Sequence, residues 1–434
     1  MATGYDVVVI GAGFAGVIAA RDLSVRGHSV LLVEARDRIG GRTWTGSAFG
    51  RDGVEFGGTY VHWTQPNVWQ ELQRHRIPLQ IPVAPEKVYW IAQGTTRSAS
   101  PEEWGAGVAP LLERFFADAR AIFPQPFEIG LVDTSAIEKE TLQDRLDAMD
   151  LPPYERDLLD GAIAGLVTSY KEHGVAQFLS CVATYFGNWA AFFETAGTWP
   201  IEGGTKRLLD AIMAESKAEV RLSTPVVAVA DDGSGVTVTT RDEEQIQARA
   251  VVVALPLNKL GDIAITPDVP AAARTMIDEK NPIVGSKIWV KAKGELQPFQ
   301  AVAPVGVNPI NAARVESHEA GNTYIMCLCS NGADIDATDT QAVQQALRDF
   351  IPDIEVLETA CHDWATDEYS KGGFMLHRPG HFTGGAVELR QPHGRMHFVG
   401  SDIAGVEAGA IEGAMDTGAH AARSIGASLS NGSY

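Results

Sequence analysis

The chain contains 434 residues, of which 45% are hydrophobic and 21% are charged, and its formal net charge is −20 at pH 7. This length predicts about two or three domains with sizeable cores, and the acidic balance argues against binding to nucleic acids or anionic membranes. The four cysteines are too few for a disulfide scaffold, and they form no pattern with histidines that predicts a metal site.

The first residues, MATGYD, lack the basic segment of a secretory signal peptide, and the apolar run that follows them is interrupted by glycines. Apolar stretches stay shorter than the roughly 18 uninterrupted residues that indicate a membrane span. We therefore expect a cytoplasmic protein without membrane attachment. Cys327 and Cys329 alternate within the apolar run YIMCLCS, which predicts buried thiols on one face of a strand.

Residues 5–34 have the pattern of a β-α-β unit that binds a dinucleotide. A buried strand over Val7–Ile10 leads into a glycine-rich turn, a helix and a second buried strand that ends at Glu34. Gly11 permits the tight turn, Gly13 lets the backbone approach a pyrophosphate, and Gly16 lets the helix pack close to the strand. The helix N-terminus offers N–H groups to phosphates, and Glu34 accepts hydrogen bonds from ribose hydroxyls. The cofactor residues predicted here are Gly11, Gly13, Phe14, Ala15, Gly16, Glu34, Ala35 and Arg36.

Two further glycine segments indicate which dinucleotide is bound. Gly40-Gly41-Arg42 resembles the second phosphate-contacting segment of FAD enzymes of the glutathione-reductase type. The fixed charge of Arg42 and the close backbone approach that the glycines permit both suit a pyrophosphate. Gly57-Gly58-Thr59-Tyr60 resembles the flavin-side segment of the amine oxidases. The resemblance implies FAD as the cofactor. The residues that would hold it here are Gly41, Arg42, Gly57, Gly58, Thr59 and Tyr60.

The resemblance to flavin-containing amine oxidases spans nearly the whole chain, and it is greatest to small bacterial enzymes of the 6-hydroxy-L-nicotine oxidase type. It implies that Val226, in the strand that begins TPVV, contacts adenine and that Trp364 packs near the flavin. The acid of GSD, Asp402, would bind the ribityl or pyrophosphate part of FAD, and a final helix from Ile411 would face the flavin. The later cofactor residues are therefore Val226, Trp364, Gly400, Ser401, Asp402, Ile411 and Ala414.

The family resemblance implies an α/β fold with two domains. A discontinuous Rossmann-like FAD-binding domain of the glutathione-reductase type would take residues 1–79, 198–266 and 384–434. An inserted α+β substrate-binding domain would take residues 80–197, which are rich in helical patterns, and 267–383, which mix strands with a helix. Homodimerisation is compatible with this fold, although no segment specifies it.

The resemblance also implies the chemistry. Lys287, in NPIVGSKIWV, aligns with the family lysine that contacts flavin N5 through a water, and it is the predicted catalytic residue. An uncharged amine would transfer a hydride to flavin N5 and become an imine, which water hydrolyses, while O2 is reduced to H2O2. Monoamine oxidases attach FAD to a cysteine. The matching position here is Gly373, so we expect non-covalent FAD.

The substrate pocket should differ from that of monoamine oxidases. The two tyrosines that flank the amine in those enzymes are replaced by Phe374 and Ala410. Because Ala410 leaves space beside the flavin, we expect a secondary or ring-bearing amine rather than a simple primary amine. His62 is a further candidate, either as a base or as a structural group. The aromatic candidates for the pocket wall are Tyr60, Trp63, Tyr185 and Trp189, each of which could instead belong to a core.

Three alternatives remain open from the sequence. An FAD-dependent amine dehydrogenase would pass electrons to an acceptor other than O2. A desaturase or related oxidase would act on carbon–carbon bonds with the same fold. A flavin-binding structural or regulatory protein would bind FAD without catalysis. Lys287 and the aromatic residue at position 374 favour amine oxidation.

Overall fold

The computed structural model describes residues 4–434. Its strands, in chain order, are β1 (Tyr5–Ile10), β2 (Val30–Val33), β3 (Thr45–Ala48), β4 (Arg51–Glu55), β5 (Tyr60–Val61), β6 (Lys87–Ala92), β7 (Thr95–Ala99), β8 (Trp199–Pro200), β9 (Glu219–Arg221), β10 (Val226–Asp231), β11 (Val236–Thr240), β12 (Gln245–Val253), β13 (Ala264–Thr266), β14 (Ser286–Lys293), β15 (Phe299–Val302), β16 (Ala312–Glu319), β17 (Asn322–Cys329), β18 (Val356–Cys361) and β19 (Met396–Phe398).

The α-helices are α1 (Phe14–Val25), α2 (Pro66–His75), α3 (Pro101–Phe115), α4 (Ala119–Ile122), α5 (Leu142–Ala148), α6 (Pro153–Ile163), α7 (Ala176–Thr184), α8 (Trp189–Gly197), α9 (Gly204–Glu215), α10 (Leu257–Leu260), α11 (Ala271–Glu279), α12 (Thr340–Arg348), α13 (Ala386–Leu389) and α14 (Ile411–Ser430). Between residues 4 and 434, no helix is both long enough and apolar enough to span a bilayer.

The first sheet has the order β13-β10-β11-β12-β1-β2-β9, and β19 pairs with β12 beside that path. The centre of this sheet is parallel. Strand β1 pairs in parallel with β12 on one side and with β2 on the other, and β2 pairs in parallel with β9. Val7, Val8 and Val9 are fully buried, as is typical of a parallel strand covered on both faces. All the strands of this sheet come from the three segments predicted to bind FAD, although the predicted boundary residues themselves stay a prediction.

Helix α14, the last in the chain, packs against α1, the first. A Cβ atom added to Gly418 would lie 2.2 Å from the carbonyl oxygen of Ala15, so the two helices approach at a distance that a larger residue would prevent. This contact brings the start of α14, at Ile411, next to the glycine-rich turn before α1. Opposite ends of the sequence therefore meet at the carboxyl ends of β1 and β2.

The second sheet has the order β18-β14-β17-β16-β15-β6-β7. Its strands come from the two segments predicted to form the substrate domain. Helices α3 to α8 pack beside it around an apolar core that includes Phe115, Phe123 and Leu179. Cys327 and Cys329 are both buried within β17, which confirms the expectation of buried thiols. Strand β14 places Lys287 opposite Leu328 of β17.

Candidate active site

A cavity of about 990 Å³ is lined by residues of both sheets, from the turn after β1 to the aromatic helices of the second domain. Most of the predicted cofactor residues lie in its wall. These are Gly11, Gly13, Phe14, Ala15, Glu34, Ala35, Arg36, Gly41, Arg42, Gly57, Gly58, Thr59, Tyr60, Val226, Trp364, Gly400, Ser401, Ile411 and Ala414. The fold therefore brings eight separate stretches of the chain together around one space.

The turn between β1 and α1 is built for close backbone approach. Gly11 has φ of +97°, and a Cβ there would lie 2.6 Å from the carbonyl oxygen of Ala254. Gly13 and Gly41 face each other, since a Cβ on Gly41 would lie 3.3 Å from the Cα of Gly13. The N-terminus of α1 opens into the cavity between these glycines. This arrangement suits a pyrophosphate, which needs backbone N–H groups and little side-chain bulk.

Gly16 lies behind the cavity wall rather than in it, although it was predicted among the cofactor residues. A Cβ at this position would lie 1.9 Å from the carbonyl oxygen of Gly11. Gly16 therefore permits the first turn of α1 to pack against the preceding turn, which is the packing role that its spacing indicated.

Glu34 is oriented by the backbone at the end of β2. Its Oε2 accepts the N–H of Ala12 at 2.7 Å, and its Oε1 accepts the N–H of Arg36 at 2.9 Å. The carboxylate is 4% exposed and lines the cavity. Each oxygen retains the capacity to accept another hydrogen bond, so a ribose diol could still bind here.

Asp402 lies directly behind the cavity wall formed by Gly400 and Ser401, and its contact with the cofactor stays a prediction. Its Oδ1 accepts a hydrogen bond from Arg42 at 2.5 Å, and its Oδ2 accepts the N–H of Leu257 at 2.9 Å. Arg42 also donates to the carbonyl oxygen of Gly373 and to Ser401. The acid therefore positions the guanidinium of Arg42, which does line the cavity.

Lys287 projects from β14 into the cavity wall beside the Gly57-Gly58 segment. Its Nζ donates hydrogen bonds to Thr59 Oγ1 (2.6 Å), to the carbonyl oxygen of Gly57 (2.9 Å) and to that of Glu55 (3.3 Å). Desolvation lowers the pKa of Lys287 to about 8, and the charge of Glu55 opposes this shift. The side chain is therefore mainly cationic at neutral pH and becomes neutral under mildly alkaline conditions.

Four of the seven predicted pocket residues lie in the cavity wall, namely Tyr60, Trp189, Phe374 and Ala410. Tyr185 lies behind the wall, where its hydroxyl donates to Glu407. Tyr60 donates its hydroxyl to Glu316 at 2.7 Å, and burial raises the pKa of Tyr60. Phe374 and Ala410 occupy neighbouring parts of the wall, beside Met375 and Gly409. The space that Ala410 was expected to open is thus part of the cavity.

His62 and Trp63 do not line the cavity, so their prediction as pocket residues is wrong in this structure. The His62 Nδ1 atom lies 2.7 Å from Thr64 Oγ1, and its ring stacks on Trp63 with 3.8 Å between centroids. Trp63 is 44% exposed and meets Trp199 on its other side. Strand β5 ends at Val61, and the N–H of Gln65 donates to the carbonyl oxygen of His62 at 3.1 Å, so the chain turns directly after the strand and carries His62 and Trp63 away from the cavity.

The sequence matches the family described as flavin containing amine oxidoreductase over residues 14–426. This chain belongs to that family. Pseudooxynicotine dehydrogenase of a Pseudomonas species is 34% identical over 95% of this chain and 84% of the relative. (S)-6-hydroxynicotine oxidase of Paenarthrobacter nicotinovorans is 30% identical over 97% of this chain and 99% of the relative. Cyclohexylamine oxidase of Brevibacterium oxydans shares the fold, with a TM-score of 0.84, 21% identity and coverage of 98% of this chain and 100% of that chain.

The cavity of this flavin amine oxidoreductase fits the FAD that its family uses. Gly13 and Gly41 leave room for a pyrophosphate, and Glu34 offers acceptors for a ribose. At the other end, Lys287 and the Gly57-Gly58 segment form a polar wall beside an otherwise apolar space. These are the groups that a dinucleotide with a large planar ring system requires.

Two polar side chains are among the cavity residues of this oxidoreductase that the sequence did not indicate. Glu407 lines the cavity three residues before Ala410, and Gln177 donates from α7 to the carbonyl oxygens of Met375 and Ala408 at 2.9 and 3.0 Å. An acid among the small residues of GVEAGA was a visible signal for Glu407. Gln177 gave none, because its role depends on joining two segments distant in sequence.

A cluster of metal-ligand type lies apart from the cavity wall. Glu71, His75 and Glu215 each place one ligand atom within 4.8 Å of the others. The guanidinium of Arg21 donates to Glu71 at 2.7 Å and to Glu215 at 2.9 Å. Because a fixed cation already neutralises these acids, the cluster is an ion-pair network, and a metal there would have to displace Arg21.

Proposed function

We propose that this flavin amine oxidoreductase oxidises a secondary or ring-bearing amine to an imine, with O2 as the electron acceptor and H2O2 as a product. The observation that carries the proposal is the continuous cavity from the pyrophosphate-type turn to Lys287, Phe374 and Ala410. The names of the curated relatives, which refer to nicotine-type amines, support the ring-bearing class.

The protein's own residues would bind and orient the two ligands. Bound FAD would supply the redox chemistry, accepting a hydride equivalent from the carbon next to the nitrogen. Lys287 holds a positive charge beside Gly57 and Thr59, where it can stabilise negative charge that develops nearby. The apolar wall at Phe374 and Ala410 excludes water and favours the uncharged form of the amine, which has a free lone pair.

Non-covalent attachment of FAD belongs to the same proposal. Gly373, at the position of the linking cysteine in monoamine oxidases, offers no nucleophile. Cys181 and Cys329 also line the cavity, but burial raises the pKa of both thiols, that of Cys329 to about 12. Such thiols stay protonated and unreactive at neutral pH.

An amine dehydrogenase is the second candidate, because the relative with 34% identity is named as a dehydrogenase. The two candidates share the cavity and the amine, and they differ in how quickly O2 accepts electrons from the reduced enzyme. We infer the oxidase from Lys287, because its ammonium would stabilise the negative charge that O2 gains as it is reduced. A cytoplasmic location fits the buried, unpaired thiols.

Anaerobic mixing with primary, secondary and cyclic amines tests the proposal. Flavin absorbance should bleach with secondary or cyclic amines at least about tenfold faster than with an unbranched primary amine. Admission of air should restore the absorbance and release one H2O2 for each reduced flavin. A flavin that dithionite reduces but no amine reduces would refute amine oxidation. Slow recovery in air with rapid recovery on adding dichlorophenolindophenol would instead favour the dehydrogenase.

A further inference from the structure

Glu407 is a buried carboxylate in the substrate end of the cavity. It is 7% exposed and lies in the wall, close in sequence to Ala408, Gly409 and Ala410, which also line the cavity. The wall of this region is rich in aromatic side chains from α7 and α8. These are Phe178, Trp189, Phe192 and Phe193.

Two neutral groups hold the carboxylate in place. Tyr185 donates its hydroxyl to Oε1, and the amide nitrogen of Gln65 donates to Oε2 at 3.1 Å. The amide of Gln65 is oriented, because its oxygen accepts the backbone N–H of His62 at 2.9 Å. An ionised carboxylate can accept about four hydrogen bonds, so Glu407 keeps free lone pairs after both contacts are made.

Glu407 lacks a cationic partner among residues 4–434. Burial raises the pKa of its carboxyl, and the groups that oppose this rise are the hydroxyl of Tyr185 and the amide of Gln65. A buried carboxylate without a positive neighbour is costly, and a ligand that brings the charge relieves the cost. The other acid in this part of the wall, Glu194, has a side chain that is 50% exposed and lies 3.6 Å from His62 Nε2.

We propose that Glu407 binds a protonated nitrogen of the substrate, so that preferred substrates carry a second basic nitrogen besides the one that is oxidised. This inference rests on the proposed amine oxidation. A nitrogen held as an ammonium by Glu407 has no lone pair to assist loss of hydride from its neighbouring carbon. It is therefore the recognition group, while the nitrogen nearer Lys287 and Phe374 reacts. The aromatic rings favour the same ligand, since ring faces attract cations.

Equilibrium dialysis of the FAD-loaded protein with two probes of equal shape tests the cation site. Phenyltrimethylammonium carries a permanent charge, and tert-butylbenzene is its uncharged carbon analogue. The wild type should bind the cation at least roughly tenfold more tightly, and Glu407→Gln should reduce this preference to about twofold or less. Glu194→Gln is the matched control and should keep the preference, because solvent screens its exposed charge.

Equal binding of the two probes by the wild type, or an unchanged preference in Glu407→Gln, would overturn the proposal. Flavin absorbance and the unfolding temperature check that each variant is folded. Should Glu407→Gln not fold, Glu407→Asp keeps the charge but withdraws it by one methylene. It should weaken binding of the cation without affecting tert-butylbenzene, and unchanged cation binding would again refute the site.

Anaerobic flavin reduction by N-methylbutylamine and N-methylputrescine separates this inference from the proposed function. The second-order rate constant for flavin reduction should be at least about tenfold higher for the diamine, and Glu407→Gln should abolish the difference. If both amines reduce the flavin equally well, amine oxidation stands and the second-nitrogen inference fails. If neither reduces it while the cation preference in dialysis persists, amine oxidation fails and Glu407 remains a cation site without that substrate.

Discussion

Replacing Lys287 by methionine removes one ammonium from the cavity wall and keeps most of the side-chain volume. The wild-type Nζ donates to Thr59 Oγ1 at 2.6 Å and to two backbone carbonyl oxygens, those of Gly57 and Glu55. The change therefore tests whether this charge contributes to the reaction or only stabilises the conformation of residues 55–59. Lys293→Met is the matched control, because Lys293 lies on the same strand and its side chain is 63% exposed.

The pKa of Lys287 sets the expected pH dependence. With a pKa of about 8, the wild-type side chain is about 90% protonated at pH 7 and about 10% protonated at pH 9. If the ammonium assists the reaction of the reduced enzyme with O2, the rate constant should fall about ninefold over this interval. In Lys287→Met the rate constant should already be about 100-fold lower at pH 7 and should show no step near pH 8.

Stability gives a second, independent readout of the same group. Desolvation lowers the lysine pKa from 10.5 to about 8, so the folded state disfavours the charged form. The unfolded chain then binds more protons between these pH values, and the wild-type free energy of unfolding should rise with pH relative to that of Lys287→Met. The full difference is roughly 3 kcal/mol, from about 2.5 pKa units at 1.36 kcal/mol each.

Stopped-flow mixing of the reduced enzyme with O2 measures the first effect, and urea unfolding at a series of pH values measures the second. FAD content should stay near the wild-type value in both variants, because the contacts of Lys287 are to Glu55, Gly57 and Thr59 and not to the pyrophosphate turn. A Lys287→Met enzyme that reacts with O2 like the wild type, or a wild-type rate that does not change between pH 7 and pH 9, would refute the catalytic role of the ammonium.

Three shorter predictions concern the cofactor and the pocket. Gly16→Ala should abolish the folded, FAD-containing protein, because the new Cβ would lie 1.9 Å from the carbonyl oxygen of Gly11. Gly107→Ala, whose Cβ meets only an ordinary contact at 3.5 Å, should instead raise the unfolding temperature. Acid precipitation should leave FAD in the supernatant, and yellow protein in the pellet would contradict non-covalent binding. Ala410→Tyr should fill the space beside the proposed flavin position. In steady-state kinetics it should raise KM for cyclic amines at least about tenfold and raise KM for a short primary amine less. Equal increases of KM for both amines would contradict the proposed shape of the pocket.

The pyrophosphate turn could be predicted from the sequence because its determinants are local. Gly11, Gly13 and Gly16 act through the conformation and packing of one strand, one turn and one helix, and Glu34 ends the next strand of the same unit. The family resemblance added the more distant segments, such as the one around Lys287. It could place these segments in the cofactor site, but it could not say which atoms each side chain contacts.

Only the tertiary structure determined which side chains line the cavity and which contact one another behind its wall. The sequence predicts that Asp402 contacts FAD, and only the structure shows that its carboxylate accepts a hydrogen bond from Arg42, 360 residues away in sequence. His62 follows Tyr60 by two residues and yet packs on Trp63 and Thr64, because the chain turns at the end of β5. Glu407 became a candidate only when the structure showed it buried with Tyr185 and Gln65 and without a cation. Contacts of this kind depend on the meeting of chain segments that are remote in sequence, and a local pattern does not encode where those segments meet.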